Sequence, residues 1–137
     1  MAPQMIFVNL PVKDVSASKT FFEKLGYSIN PAFSDETTGC VVISDTIFAM
    51  LLEEPKFQSF MAPGKEISDA TKSTEVLVTL SAESRAKVDE LADAALAAGG
   101  TPAKEPLEMG FMYGRSFTDL DGHHWEIFWM DPAAAQG

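Results

Sequence analysis

The sequence predicts an α+β fold of two tandem modules, each a strand, a helix and three further strands. Two observations carry this. An alternating apolar run, a helical apolar stripe and three short apolar runs occupy residues 4–53, and the same order returns over residues 73–131. The punctuation repeats as well. A capping residue follows each first strand, glycine closes each helix, and a turn dipeptide precedes each last strand. The chain of 137 residues is the size of one ordinary domain. Either half alone, at roughly 50 to 60 residues, buries too little surface to stand easily by itself. A ferredoxin-like α+β sandwich with a chance repetition of element order is the alternative.

Each element has its own signal. Residues 4–12 (QMIFVNLPV) are rich in β-branched and aromatic side chains and read as a strand. Asp14 caps a helix over 15–25, with Val15, Phe21, Phe22 and Leu25 on its apolar face and Gly26 as its stop. Strands follow at 27–33, 39–43 and 46–52, the last two joined by the Ser44-Asp45 turn. Residues 54–72 are polar and interrupted by Pro55, Pro63 and Gly64, so they read as a linker with one helical turn near 56–61. Residues 74–80 alternate as a strand. Ser81 is placed as the next helix cap, ahead of the stripe Val88, Leu91, Ala92, Ala95 and Leu96, which Gly99-Gly100 ends. Strands at 101–107, 111–117 and 124–130 complete the second half, with Asp121-Gly122 as the last turn. The small residues of 132–137 read as a frayed tail.

Composition removes several classes. Ten Lys plus Arg against twenty Asp plus Glu give a net charge of -10. That is the wrong sign for neutralising nucleic-acid phosphates or meeting an anionic membrane surface. Apolar runs are far shorter than a membrane span, and no signal peptide is evident, so a soluble cytoplasmic chain is expected. Cys40 is the single cysteine, which excludes an intrachain disulfide and a cysteine-based zinc site. Flanked by Gly39 and Val41 on a strand, it reads as a buried inert thiol. No dinucleotide fingerprint, phosphate loop or H-E-x-x-H motif is present.

Polar residues on apolar strands are the candidate site. Glu126 lies between Trp125 and Ile127, and an acid there needs a reason. Alternation puts His124 on the same face as Glu126, either joining the site or bonded to backbone beside the turn. His123 falls in the turn itself. Phe111, Tyr113 and Arg115 share a face. If it lines a cavity, Tyr113 and Arg115 offer a hydrogen-bond donor and a cation; otherwise Arg115 pairs with Asp119, Asp121 or Glu126.

The opening FVNLPVKDVSASKTFFEKLGY and the closing GRSFTDLDGHHWEIFW resemble the two ends of vicinal oxygen chelate proteins, the superfamily of glyoxalase I, extradiol dioxygenases and bleomycin-resistance proteins. With the element order between them, the likeness covers nearly the whole chain and is greatest to a group labelled predicted lactoylglutathione lyases. It implies two βαβββ modules forming a curved open sheet around a cavity, helices outside, usually in a homodimer. For metal-dependent members it also implies a divalent metal held by four strand positions, which chelates two substrate oxygens and stabilises an enolate-like intermediate. Carried onto this chain, those positions are Phe7, just before V-N-L-P-V-K-D, then Met50, Glu75 and Glu126, with Glu53 and Glu54 near the second. Two are acids and two cannot ligate a hard or borderline ion, so the metal shell is incomplete and the cofactor stays unknown. Phe7 and Met50 then become substrate-contacting candidates beside Tyr113, Arg115 and His124.

Two functions compete. One is a glyoxalase-like lyase or isomerase moving a proton on a small oxygenated metabolite, with Glu126 and Glu75 as base and ligand. If the two acids face one another without metal, one is pushed toward the protonated form. The other is a metal-free small-molecule binder similar to bleomycin-resistance proteins. A ligand-responsive accessory protein without chemistry is a third reading that no residue selects. The excess negative charge favours a neutral or cationic ligand over an anionic one such as a glutathione adduct.

Overall fold

The structure is a computed structural model describing residues 2–135. The chain forms two compact units, Met1–Asp69 and Ala70–Gly137. Each is a mixed α+β unit with one open sheet, and the two sheets repeat one topology.

In the first unit, β1 (Ile6–Val12) runs parallel to β4 (Ile47–Glu53), β3 (Thr38–Val42) antiparallel to β4, and β2 (Ser28–Ile29) antiparallel to β3. Helix α1 (Val15–Lys24) starts where Asp14 Oδ1 accepts from Ala17 N–H at 3.1 Å and Glu53 Oε2 accepts from Val15 N–H at 3.2 Å. Those carboxylates satisfy donors that a helix start leaves open. Val15, Phe21 and Phe22 are buried, the two rings meeting edge to face at 5.0 Å. Full burial of each such side chain is worth about 1.5–3 kcal/mol. Gly39 on β3 lies close against α1, since a Cβ there would lie 2.9 Å from Lys19 Cγ. The register puts Leu10, Ala49, Leu51 and Val41 on the face of Gly39, beneath the helix, and Phe7, Asn9, Phe48, Met50 and Cys40 on the other.

The second unit repeats this plan. β5 (Leu77–Ser81) is parallel to β9 (His124–Met130), and β8 (Met112–Thr118) is antiparallel to β9. Two short strands, β6 (Thr101–Pro102) and β7 (Leu107–Glu108), both pair with β8. The long helix, Arg85–Ala97, buries Val88, Leu91, Ala92 and Ala95, and the sheet buries Phe117, Trp125 and Ile127. It is α3 here, because a short helix α2 (Glu54–Ser59) precedes it.

Several boundaries depart from the sequence expectation. β2 stops at Ile29 because Asn30 Oδ1 accepts from Ala32 N–H at 2.9 Å and starts a 3-10 turn over Pro31–Phe33. The strand expected at 101–107 is broken into β6 and β7, since Pro102 and Pro106 have no N–H for the ladder. The helix turn expected at 56–61 starts earlier, at Glu54, with Pro55 in its first turn. Ser81 is not the cap of α3. It stays in β5 opposite Phe128, and Ser84 Oγ accepts from Lys87 N–H instead. Within the expected tail, Pro132–Ala135 form helix α4, whose first turn bonds to Asp131; Gln136 and Gly137 lie outside the described residues.

Candidate functional site

The open face of the second sheet gathers a polar cluster. Alternation along β9 sends Trp125 and Ile127 to the helix side and His124, Glu126 and Phe128 to the other. Parallel pairing sets Thr79 of β5 opposite Glu126, and antiparallel pairing sets Ser116 of β8 opposite it on the other flank. Thr79 Oγ1 donates to Glu126 Oε1 at 3.0 Å, and His124 Nε2 lies 3.2 Å from Glu126 Oε2. The His124 side chain is 12% exposed and that of Glu126 34%. Glu126 lines a cleft of about 520 Å³ together with Pro106, Leu107, Met112, Phe128 and Met130, and Lys104 and Glu105 line it beside Pro106. A carboxylate oxygen accepts about two hydrogen bonds. Each oxygen of Glu126 therefore keeps capacity for a ligand N–H or O–H.

Glu75 does not join this cluster. The structure places it in an exposed bend before β5 rather than on the strand, and the residue paired with Glu126 is Thr79. The reason is a later strand start, which shifts the facing position four residues along the chain. Thr79 is the functional candidate the sequence reading missed. The signal was the alternation of Glu75, Leu77 and Thr79, but choosing among them needs the β5–β9 register, which is a tertiary property.

Tyr113 and Arg115 lie on the helix side of the second sheet, opposite the Glu126 face. Tyr113 Oη donates to Asp89 of α3 at 2.6 Å, and Arg115 donates to Asp89 at 3.1 Å and to Asp93 at 2.8 Å. The Tyr113 hydroxyl holds the Asp89 carboxyl below the usual range, and Asp89 in turn pushes Tyr113 up. Arg115 thus pairs with the helix acids rather than with Asp119, Asp121 or Glu126. Asp119 is buried and organises the last hairpin. Its Oδ1 accepts from the N–H groups of Asp121 and His123, and its Oδ2 from Trp125 Nε1 at 3.0 Å. Burial outweighs these bonds and raises the Asp119 carboxyl above its ordinary value.

In the first unit, Phe7 and Phe48 are paired and stack at 4.8 Å, and Met50 sits opposite Asn9. Met50 beside Asn9 occupies the same place in its sheet as Glu126 beside Thr79 in the other. On the internal alignment of Met50 with Glu126, the first sheet has an apolar thioether where the second has an acid. Glu53 bonds to the start of α1. Cys40 is buried, which pushes its thiol up.

Residues 4–44 match the family described as bleomycin resistance protein-like N-terminal. A hypothetical protein from S. aureus is 31% identical and covers 94% of this chain and 95% of its own, with a TM-score of 0.75. A glyoxalase/bleomycin resistance protein/dioxygenase family enzyme from Burkholderia phytofirmans PsJN is 18% identical, with 93% and 99% of the two chains covered and a TM-score of 0.78. The chain belongs to the glyoxalase/bleomycin resistance/dioxygenase superfamily. A genomically encoded fosfomycin resistance protein from Listeria monocytogenes has the same superfamily fold at 16% identity, with 94% of each chain covered and a TM-score of 0.65. No curated protein is significantly similar.

The metal that superfamily membership brings to mind does not fit these residues. Among the described residues, no three His, Cys, Asp or Glu side chains come together in a group able to hold an ion. Glu126 and His124 are two donors, bonded to one another, whereas a catalytic zinc site uses three protein ligands. Among the described residues no helix is long and apolar enough to cross a membrane.

Proposed function

We propose that this superfamily member binds a small organic molecule on the open face of its second sheet, without a metal, using Glu126 as the polar anchor. The observation that carries the reading is Glu126 itself. It is a carboxylate lining a largely apolar cleft, oriented by Thr79 and His124, with one accepting position left on each oxygen. A partly desolvated carboxylate is stabilised most by a charge-assisted pair of N–H donors. The two methionines and Phe128 offer polarisable, adaptable walls for a flat apolar body. A cationic or neutral ligand fits this site and the -10 chain better than an anion such as fosfomycin or a glutathione adduct. Calorimetry with metal-free bleomycin and with benzamidine tests it. Binding of either that weakens about tenfold or more in Glu126→Gln supports the anchor. Equal binding by wild type and variant removes it.

The contact between His124 and Glu126 favours a second reading, proton transfer on a small oxygenated metabolite in the manner of lactoylglutathione lyases. Glu126 would be the base and His124 its proton partner. Loss of solvent-deuterium exchange at the carbon next to a substrate carbonyl in Glu126→Gln, with binding retained, would support it. Retained exchange would remove it. A cytoplasmic homodimer belongs to the proposal as well. The dimer is supported by the exposed Ile6 and Phe7 on edge strand β1, and light scattering gives the oligomeric state.

A further inference from the structure

One wall of the cleft is gripped from the opposite side of the sheet. Lys104 to Leu107 form that wall, between β6 and β7. Both strands are two residues long, and Pro106 has no N–H to donate. Lys104 N–H is taken by Ser116 Oγ at 3.0 Å. The hairpin turn after β7 exposes Met109 and Phe111. So short a ladder holds an edge segment weakly.

Arg85 supplies what the ladder lacks. It is the first residue of α3, where a cation opposes the helix dipole, so helix stability does not account for it. Its guanidinium forms a two-pronged pair with Glu108 of β7, at 2.5 and 2.8 Å, and donates to Gly110 O at 2.9 Å. It also lies over the Tyr113 ring at 5.2 Å and the Trp129 ring at 5.1 Å. Gly110 N–H donates to Glu108 Oε2 at 3.0 Å, closing the turn on the same carboxylate. Arg85, with Gly110 N–H, holds the Glu108 carboxyl down at about 2, so the pair stays ionised through ordinary assay conditions and must be broken by substitution.

We propose that Arg85 is a positioning residue for the cleft: by tying Glu108 and Gly110 to α3 it fixes how far the wall of Lys104 to Leu107 stands from Glu126, and so sets the width of ligand the cleft accepts. The width claim rests on the cleft being the binding site; the clamp itself does not.

Two measurements on the full chain separate these. Amide hydrogen exchange of the ligand-free protein reads the clamp. Arg85→Gln and Glu108→Gln are each expected to speed exchange at Leu107, Met109 and Gly110 about fivefold, with Ile127 unchanged and Arg85→Lys partly restoring protection. Unchanged exchange in both variants overturns the proposal. Binding of benzamidine and the wider 2-naphthamidine reads the width. The ratio of their dissociation constants is expected to move about fivefold toward the wider probe in Arg85→Gln, whereas Glu126→Gln weakens both alike. A ratio that stays within about twofold while exchange rises overturns the width claim. If neither probe binds the wild type, the width claim falls, while bleomycin still decides the cleft reading and exchange still decides the clamp.

Discussion

Thr79 Oγ1 donates to Glu126 Oε1 at 3.0 Å across the parallel pairing of β5 and β9. The bond fixes one oxygen of the acid, and His124 lies against the other. Thr79→Val keeps the shape and the β-branch, so it isolates this bond. The site is partly exposed, and the expected loss is about 0.5–1.5 kcal/mol in urea unfolding, recovered in Thr79→Ser. An undiminished stability in Thr79→Val would show that the hydroxyl, and so this bond, contributes nothing to the fold.

That bond also shows where sequence reasoning stops. The modules, the α1 cap at Asp14, the apolar faces and the shared face of His124 and Glu126 follow from local periodicity and turn chemistry, which are written residue by residue. The partner of Glu126 depends on register between strands 47 residues apart in sequence. Nothing local distinguishes Thr79 from Glu75 on one alternating run. Tyr113 and Arg115 illustrate the same limit. Their common face was legible, but which layer it meets was settled by Asp89 and Asp93 on α3.

Asp119 gives the last hairpin a pH signature. Burial raises its folded pKa above the ordinary 3.8. A raised pKa means the folded state holds its proton more tightly than the unfolded chain. Its contribution is then fully present below the ordinary value and is lost as pH rises through the raised one. Asp119→Asn cannot ionise, and its amide group cannot accept from Trp125 Nε1 and both turn N–H groups as the carboxyl does. The variant is expected to lose about 1–3 kcal/mol, and the wild-type advantage is expected to be larger near about pH 4 than near about pH 7. Urea unfolding of both proteins across that range measures the difference, and an advantage that grows with pH would reverse the assignment.

Two glycines predict opposite tolerance. A Cβ at Gly39 meets Lys19 Cγ at 2.9 Å and Cε at 3.1 Å, the flexible part of a side chain whose Nζ reaches Asp35 O. Lys19 can swing away, so Gly39→Ala is expected to cost under about 1 kcal/mol. Gly122 has φ +88, and a Cβ there meets backbone atoms of Ala70 and Thr71 at 3.0 Å. Neither the turn nor that backbone can yield cheaply, so Gly122→Ala is expected to cost about 1–3 kcal/mol. Thermal unfolding of the two variants side by side tests the contrast, and equal losses would contradict it.

The donor set makes a prediction about divalent ions. Glu126 and His124 bond to one another, and among the described residues no third His, Cys, Asp or Glu completes a group. An ion held only by this pair would keep most of its water and bind weakly. An ion present at 100 times its dissociation constant would stabilise the fold by about 2.7 kcal/mol, enough to move Tm by several degrees in a chain of this size. Adding about 100 μM zinc, nickel or manganese to chelator-treated protein is therefore expected to shift Tm by less than about 1 °C, in the wild type and in Glu126→Gln alike. A shift of several degrees in the wild type that Glu126→Gln abolishes would restore a metal to this face, and with it the oxygen-chelating chemistry that the present residues do not support.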